Sequence, residues 1–339
     1  GQHLDVILTD TRSYRSGPCV DEHLAESLGL PMNTATLVEI TDAGKEYNDG
    51  NPPQYLPYGD GKTENPAIAR EPGTCLGLRQ RTWFTDTVTR SSATWKLWGN
   101  ALPLMPLKID LSSLPFAGLE DSVFNLDAWG GYPSEVSYLM DYFASNGVEG
   151  LVSFSGDHHM HGAATVYGKA PQEDTARPVL ADFACAGISS SALFGDILAV
   201  ANDGNPDFQP MVYAEQEETA NSLTPVFNMT MLQGVLASMA YSATGLESVA
   251  RWLGPNEANT GLKFVDVTAN GYGLARFSAT TLQVELVTME DLTEPFEQAP
   301  KIKHRSRFTL DKWNAKDGPT LNGPVFSGGA PFPFEPPTV

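Results

Sequence analysis

At 339 residues the chain is long enough for one large domain or two smaller ones with a substantial core. Hydrophobic residues at 41% and aromatics at 10% exclude a disordered chain, and no apolar run approaches the roughly 18 residues needed to cross a bilayer. The net charge of −20, from 41 acidic and 21 basic residues, excludes nucleic acid as a general partner and repels polyanionic substrates unless a metal or a local Arg offsets it.

In chain order, residues 4–9 read as a strand, followed by a loop carrying Asp10, Arg12 and Arg15. Residues 16–75 read as loop-rich surface, with Asn51-Pro52-Pro53 and a turn at Gly59-Asp60-Gly61. Leu78, Trp83, Phe84, Thr87 and Val88 predict a helix over 76–91 with those residues on one side. Residues 94–99, with Trp95, Leu97 and Trp98, read as a buried strand. A second helix is predicted over 134–146, with Pro133 and Ser134 at its start and Glu135 in its first turn. Strands follow at 151–155 and 179–184. Residues 225–253 are weakly amphipathic and read as helical, with Met229, Met231 and Val235 assigned to core or lid packing. Residues 263–268, 271–278 and 282–287 predict a small antiparallel meander. Residues 291–339, rich in Pro and Gly after Gly318, read as an extended tail. Cys19, Cys75 and Cys185 show no CxxC spacing and read as small buried hydrophobes.

The chemistry is concentrated where the strand 151–155 ends. Gly156 breaks the apolar run, and Asp157, His158, His159 and His161 follow, so half of the six histidines fall in four positions. Side chains just past a strand's carboxyl end are where α/β proteins place their chemistry. Carboxylate oxygen and imidazole nitrogen suit Ca, Mn, Fe or Zn; the plain alternative is a polar turn with solvated histidines. In an extended segment Asp157 and His159 point the same way, which makes them the metal-ligand candidates and turns His158 toward a supporting position. His161 shares their parity and stands as a ligand, a general acid for a leaving group, or neither. Arg12 is a candidate phosphate-binding catalytic group, as is Arg15; the alternative is a loop tie to buried carbonyls or to Asp10. Asn100 offers an amide oxygen to metal or phosphate, or caps a turn. Asp127, Trp129 and Tyr132 are placed at a pocket mouth, with packing the alternative for the two aromatics.

Five motifs in one order carry a resemblance. They are residues 8–15 (Leu-Thr-Asp-Thr-Arg-Ser-Tyr-Arg), residues 76–80 (Leu-Gly-Leu-Arg-Gln) with Trp83, residues 95–100 (Trp-Lys-Leu-Trp-Gly-Asn), residues 127–133 (Asp-Ala-Trp-Gly-Gly-Tyr-Pro) and residues 156–159 (Gly-Asp-His-His). Asn270-Gly271-Tyr272 adds a weaker match. The chain resembles the carboxyl-terminal portion of alkaline phosphatase D (PhoD-like) metallophosphoesterases, over about residues 4–190 and 261–288. The chain departs from the family pattern at Gly130, where an acid is usual, and at Val136, where an Arg is common. Residues 192–260 match nothing in it and read as an insertion or lid.

The resemblance implies an α/β fold, the four-layer α/β/β/α sandwich, with residues 1–290 as the carboxyl-terminal part of a catalytic domain. It implies hydrolysis of phosphate mono- or diesters by a metal-activated water, with triester hydrolysis or a non-catalytic metal- or phosphate-binding subunit as alternatives. Asp157 and His159 match its Gly-Asp-x-His motif. Two or more metal ions are implied, Ca and Fe first, with Mn or Zn compatible, and a secreted or periplasmic location. The family's earlier metal motifs, a Gly-Asp pair and an Asp-His-Glu-type segment, are absent. The expectation is a cleaved precursor whose other part stays as a second polypeptide carrying the remaining ligands, acting on a small-molecule phosphoester.

Overall fold

A computed structural model describes residues 2–20, 33–58, 61–204, 206–215, 223–255, 257–290, 292 and 299–336. The residues Gly59 and Asp60 of the expected turn lie outside them, as do 205, 216–222 and 256 of the expected insertion.

Six strands form the first sheet: Leu4–Leu8 (β1), Trp95–Gly99 (β2), Leu151–Ser155 (β3), His161–Gly168 (β4), Arg177–Ala184 (β5) and Leu262–Asp266 (β6). Their order is β1-β2-β3-β5-β4-β6; β1, β2, β3 and β5 run parallel, and β4 pairs antiparallel with β5 and β6. A second, antiparallel sheet joins Gly271–Phe277 (β7), Thr281–Met289 (β8), Ile302–Asp311 (β9) and Asn322–Gly328 (β10) in sequence order. The helices used below are Ala35–Ala43 (α1), Leu78–Arg90 (α2), Pro133–Ser145 (α3), Leu193–Ala199 (α4), Phe227–Gln233 (α5), Val235–Thr244 (α6) and Glu247–Leu253 (α7).

Strand alternation sorts the core into layers. Trp98, Leu151 and Leu180 face α2 and α3, where they pack on Phe84, Val88, Leu139 and Phe143. Trp95, Val152 and Phe183 point the other way, onto residues of the second sheet such as Val284, Leu286 and Phe308. The layers among the described residues are therefore helix, sheet and sheet. A fourth, helical layer is absent there: along β9 the buried His304, Ser306, Phe308 and Leu310 alternate with outward Lys303, Arg305, Arg307 and Thr309.

Several expectations change for physical reasons. The first of the three carboxyl-terminal strands joins the large sheet instead of the meander, because Phe264 and Val265 are both buried and need cover on both faces. Residues 302–311 and 322–328, expected within a tail, are strands, and Phe308 and Leu310 are core. The stretch 225–253, expected to be helical, is helical from Phe227 as α5, α6 and α7, which are separated because Gly234 (φ +107°) and Gly245 (φ +66°) adopt backbone that a helix excludes. Leu78 and Trp83 are 64% and 49% exposed; successive helical residues lie about 100° apart, so Trp83 and Phe84 cannot share a narrow stripe. Within the loop-rich 16–75 lie α1 and a hairpin of Tyr55–Tyr58 with Gly61–Glu64.

Asp182 of β5 is fully buried; its Oδ2 accepts the N–H groups of Leu104 and Met105 at 2.8 and 2.9 Å, and the Ser153 hydroxyl of β3 also acts on the carboxylate. Burial outweighs those hydrogen bonds and pushes the carboxyl up to about 6 from 3.8. A raised folded-state pKa stabilises fully below 3.8, and that stability is lost as pH rises through about 6. Asp182→Asn is therefore expected to gain on the parent protein by about 1.4 kcal/mol between pH 5 and pH 8, the worth of the one unit separating pH 5 from that pKa. Denaturant unfolding of both proteins at the two pH values measures it; an unchanged difference refutes it.

Candidate functional site

The carboxyl ends of β1, β2 and β3 lie side by side, because the three strands are parallel and in register from Asp5, Lys96 and Leu151 onward. Three chain segments therefore leave the sheet together, after Leu8, Gly99 and Ser155. After β1, Asp10 forms a side-chain turn, its Oδ1 accepting the N–H groups of Arg12 and Ser13 at 2.8 Å each. Gln80 of α2 holds the same residue from outside: its amide donates to the Asp10 carbonyl at 2.7 Å and accepts the Asp10 N–H at 2.8 Å. Trp98 Nε1 donates to Thr9 Oγ1 at 2.8 Å, fixing the strand end.

Arg12 and Arg15 converge on one carboxylate. Arg12 Nη1 reaches Asp127 Oδ2 at 2.8 Å, and Arg15 Nη2 reaches Oδ1 at 2.6 Å while its Nη1 donates to the Asp127 carbonyl at 3.1 Å. Burial works against the ionised Asp127, but the hydrogen bonds from Arg12 and Arg15 outweigh it and hold the carboxyl below the usual range. The loop tie considered for these arginines thus exists, with Asp127 as its partner and not Asp10. One carboxylate against two guanidiniums leaves a surplus positive charge at an otherwise acidic surface.

After β3 the segment does not continue extended. Asp157 and His159 adopt left-handed backbone, φ +69° and +50°, a region that Asp and His enter more readily than most residues. The resulting turns expose Asp157, leave His159 half-buried and bury His158, Met160 and His161. Simple alternation is not what separates these side chains, since His161 shares the parity of Asp157 and faces inward. Its Nδ1 accepts the Ala186 N–H at 3.0 Å and its Nε2 faces the Val287 carbonyl at 3.2 Å, which ties β4 to the second sheet. Burial lowers its pKa, favouring the neutral ring. With both nitrogens engaged and no exposure, His161 acts as structure; it cannot serve as ligand or general acid without breaking those bonds. Beneath it the buried His304 Nε2 lies 3.0 Å from Asp266 Oδ2.

His158 is buried, with Nε2 at 3.3 Å from Asn125 Nδ2 and 3.9 Å from Asp157 Oδ2. Burial lowers its pKa, against the pull of Asp157. Asn125, which carried no signal beyond an Asn-x-Asp spacing, is the link between loops: its Oδ1 accepts the Asp127 N–H at 2.8 Å. Asn100 is also buried, and its amide oxygen accepts Trp129 Nε1 at 3.1 Å. The oxygen offered to a metal is therefore committed, and the orphaned group is Nδ2, a donor suited to an anion's oxygen. Tyr132 is core, not pocket mouth: it is 2% exposed, donates to the Ser16 carbonyl at 3.0 Å, and burial pushes its pKa up to about 12. Cys19 and Cys75 are buried thiols with pKa values pushed up to about 11 and about 12, first by burial.

A metal fits this loop only in part. Asp157 supplies an accessible carboxylate and His159 a half-buried imidazole, but no group of three His, Cys, Asp or Glu side chains able to hold an ion exists among the described residues. The segment expected as an insertion reaches the loop, since the Leu193 N–H at the start of α4 donates to the His159 carbonyl at 3.0 Å. Its helices pack on Met105, Leu107, Leu262 and Val265, beside β6.

Parallel strands that deliver an acid, a histidine and two arginines to one end place the chain among α/β proteins that carry their chemistry at the carboxyl edge of the sheet. Within that class it belongs to the PhoD-like phosphatase family, whose model matches residues 1–231. It is similar to alkaline phosphatase D of Bacillus subtilis (strain 168), 23% identical over 120 residues, which is 35% of this chain and 18% of that protein. A solved structure described as that of PhoD superposes with a TM-score of 0.51 at 14% identity, over 96% of this chain and 43% of that one. The chain thus spans less than half the length of the relatives it matches. The shared fold is mixed α/β with a largely parallel central sheet.

Proposed function

We propose that the protein takes part in hydrolysis of phosphate esters by a metal-activated water, with Asp157 and His159 as the metal ligands this chain supplies. The observation that carries the reading is the pair of left-handed residues beside the Arg12–Arg15–Asp127 cluster, at one end of a sheet in a phosphatase family. Strained or sparsely populated backbone collects at functional sites, where surrounding structure over-determines it. A metal held there supplies Lewis acidity and a low-pKa water. Arg12 and Arg15, pre-ordered on Asp127, bind and orient the phosphoryl oxygens, and the Asn100 amide N–H group donates to the same anion.

Two ligands do not hold a catalytic metal, so the remaining ones come from outside the described residues. A partner polypeptide of the same precursor is the source proposed here, seated along β1, which forms the sheet's edge and exposes Val6 and Leu8 by 57% and 68%. We assign Ca and Fe as the metals and a secreted or periplasmic location on the family resemblance. No helix among the described residues is long and apolar enough to cross a membrane.

The test is hydrolysis of 4-nitrophenyl phosphate and bis(4-nitrophenyl) phosphate by the native protein before and after chelation. Activity is expected to fall by at least about tenfold on metal removal and to return with added metal. Turnover that is indifferent to chelation overturns the metal-water mechanism. Metal binding without turnover of either ester favours a non-catalytic binding subunit.

A further inference from the structure

A cavity of about 480 Å³ borders the Asp157 loop, within the ~300–1,000 Å³ span of small-molecule sites. Its walls are mainly apolar, built by Val38, Leu104, Met105, Leu107, Trp129 and Val136. The chargeable side chains around it are balanced, Glu39 and Asp141 against Lys108 and Lys169, and Glu39 lies 3.9 Å from Lys108. Arg12 and Arg15 are not part of its lining. A site so composed does not attract a phosphoryl group; it favours an uncharged organic one.

His158 gives the cavity one polar contact at the end nearest Asp157. Because Asn125 Oδ1 is taken by the Asp127 N–H, its amino group must face His158 Nε2, which therefore accepts. The ring proton then sits on Nδ1, which is buried and has no hydrogen-bond partner. Such a donor is satisfied when a bound molecule presents an acceptor oxygen.

We infer that this cavity receives the organic moiety of the phosphoester, an apolar alcohol whose oxygen meets His158, while the phosphoryl group stays outside at Asp157 and the arginines. The inference rests on the phosphoester reading for the reaction but not for the binding of the alcohol. The test therefore separates the two. Binding of 1-naphthol to the native protein is followed by saturation-transfer NMR and by the ¹⁵N resonance of the His158 ring. Val136→Trp on α3 and Ala35→Trp on α1 each fill the cavity with a side chain from a different element. Hydrolysis of 1-naphthyl phosphate is compared with that of glycerol phosphate.

Saturation transfer and a shifted His158 resonance are expected in the native protein, with transfer lost in both variants. The kcat/KM ratio of naphthyl to glycerol ester is expected to fall at least about tenfold in Val136→Trp, the effect of losing a hydrophobic subsite. No transfer to the native protein, no shift at His158, or equal binding by folded variants overturns the inference. Should the variants not fold, the His158 shift in the native protein still decides. Naphthol binding at His158 with neither ester hydrolysed overturns the phosphoesterase reading and leaves the cavity's ligand class standing.

Discussion

Asp157→Asn is expected to lower kcat/KM for 4-nitrophenyl phosphate by about 10²–10³-fold, the range found when one preorganised electrostatic group is removed from an active site. The substitution isolates charge from structure. Asn enters the left-handed region at φ +69° as readily as Asp, so the loop keeps its backbone. The side chain is 46% exposed, so little packing is lost, and stability should stay within about 0.5 kcal/mol of the parent. What changes is the negative charge that, in the proposed mechanism, would hold a cation, and that acts on Arg12. Steady-state kinetics with matched metal loading measures the effect. Activity within threefold of the parent would remove Asp157 from the mechanism.

Glu135→Ala is expected to be the most destabilising single change at the site, by about 3–5 kcal/mol, the cost of stripping the partner from a buried polar network. Glu135 is fully buried on the first turn of α3 and accepts from Thr74 Oγ1 at 2.6 Å, Cys75 N–H at 2.5 Å and Leu76 N–H at 2.9 Å, with Arg81 at 3.5 Å. Alanine leaves two backbone donors and a hydroxyl orphaned in the core. Glu135→Gln keeps one acceptor oxygen and should cost distinctly less. The consequence extends to the site, because the 74–76 turn leads into α2, whose Gln80 clamps Asp10. Urea unfolding of the two variants provides the comparison; equal stability of Glu135→Ala and the parent would show that the turn is held by something else.

Much of this molecule was legible from local pattern. The strand 151–155 has the predicted bounds, and β2, α2 and α3 lie within a residue or two of theirs, because alternation, helical spacing and Pro133 act over a few neighbours. The grouping of an acid and histidines behind Gly156 likewise needed only the chain itself, since a strand end followed by a Gly sets where side chains leave the sheet. Other features depend on residues far apart. Asp127 meets Arg12 across 115 positions and Arg15 across 112, and nothing in an Asp-Ala-Trp triplet announces a guanidinium. α3 is capped by Asp42 from α1, 92 residues earlier, and not by Ser134 itself. His161 and His159 differ in fate because two left-handed turns re-aim the loop, and because Ala186 and Val287 stand ready for the inner ring. Sheet membership of residues 262–266 and 302–311 was decided by which buried faces needed cover. Local rules specify an element and the stripe it offers; which stripe meets which is a property of the whole packed core, where partners compete for burial and for every hydrogen bond.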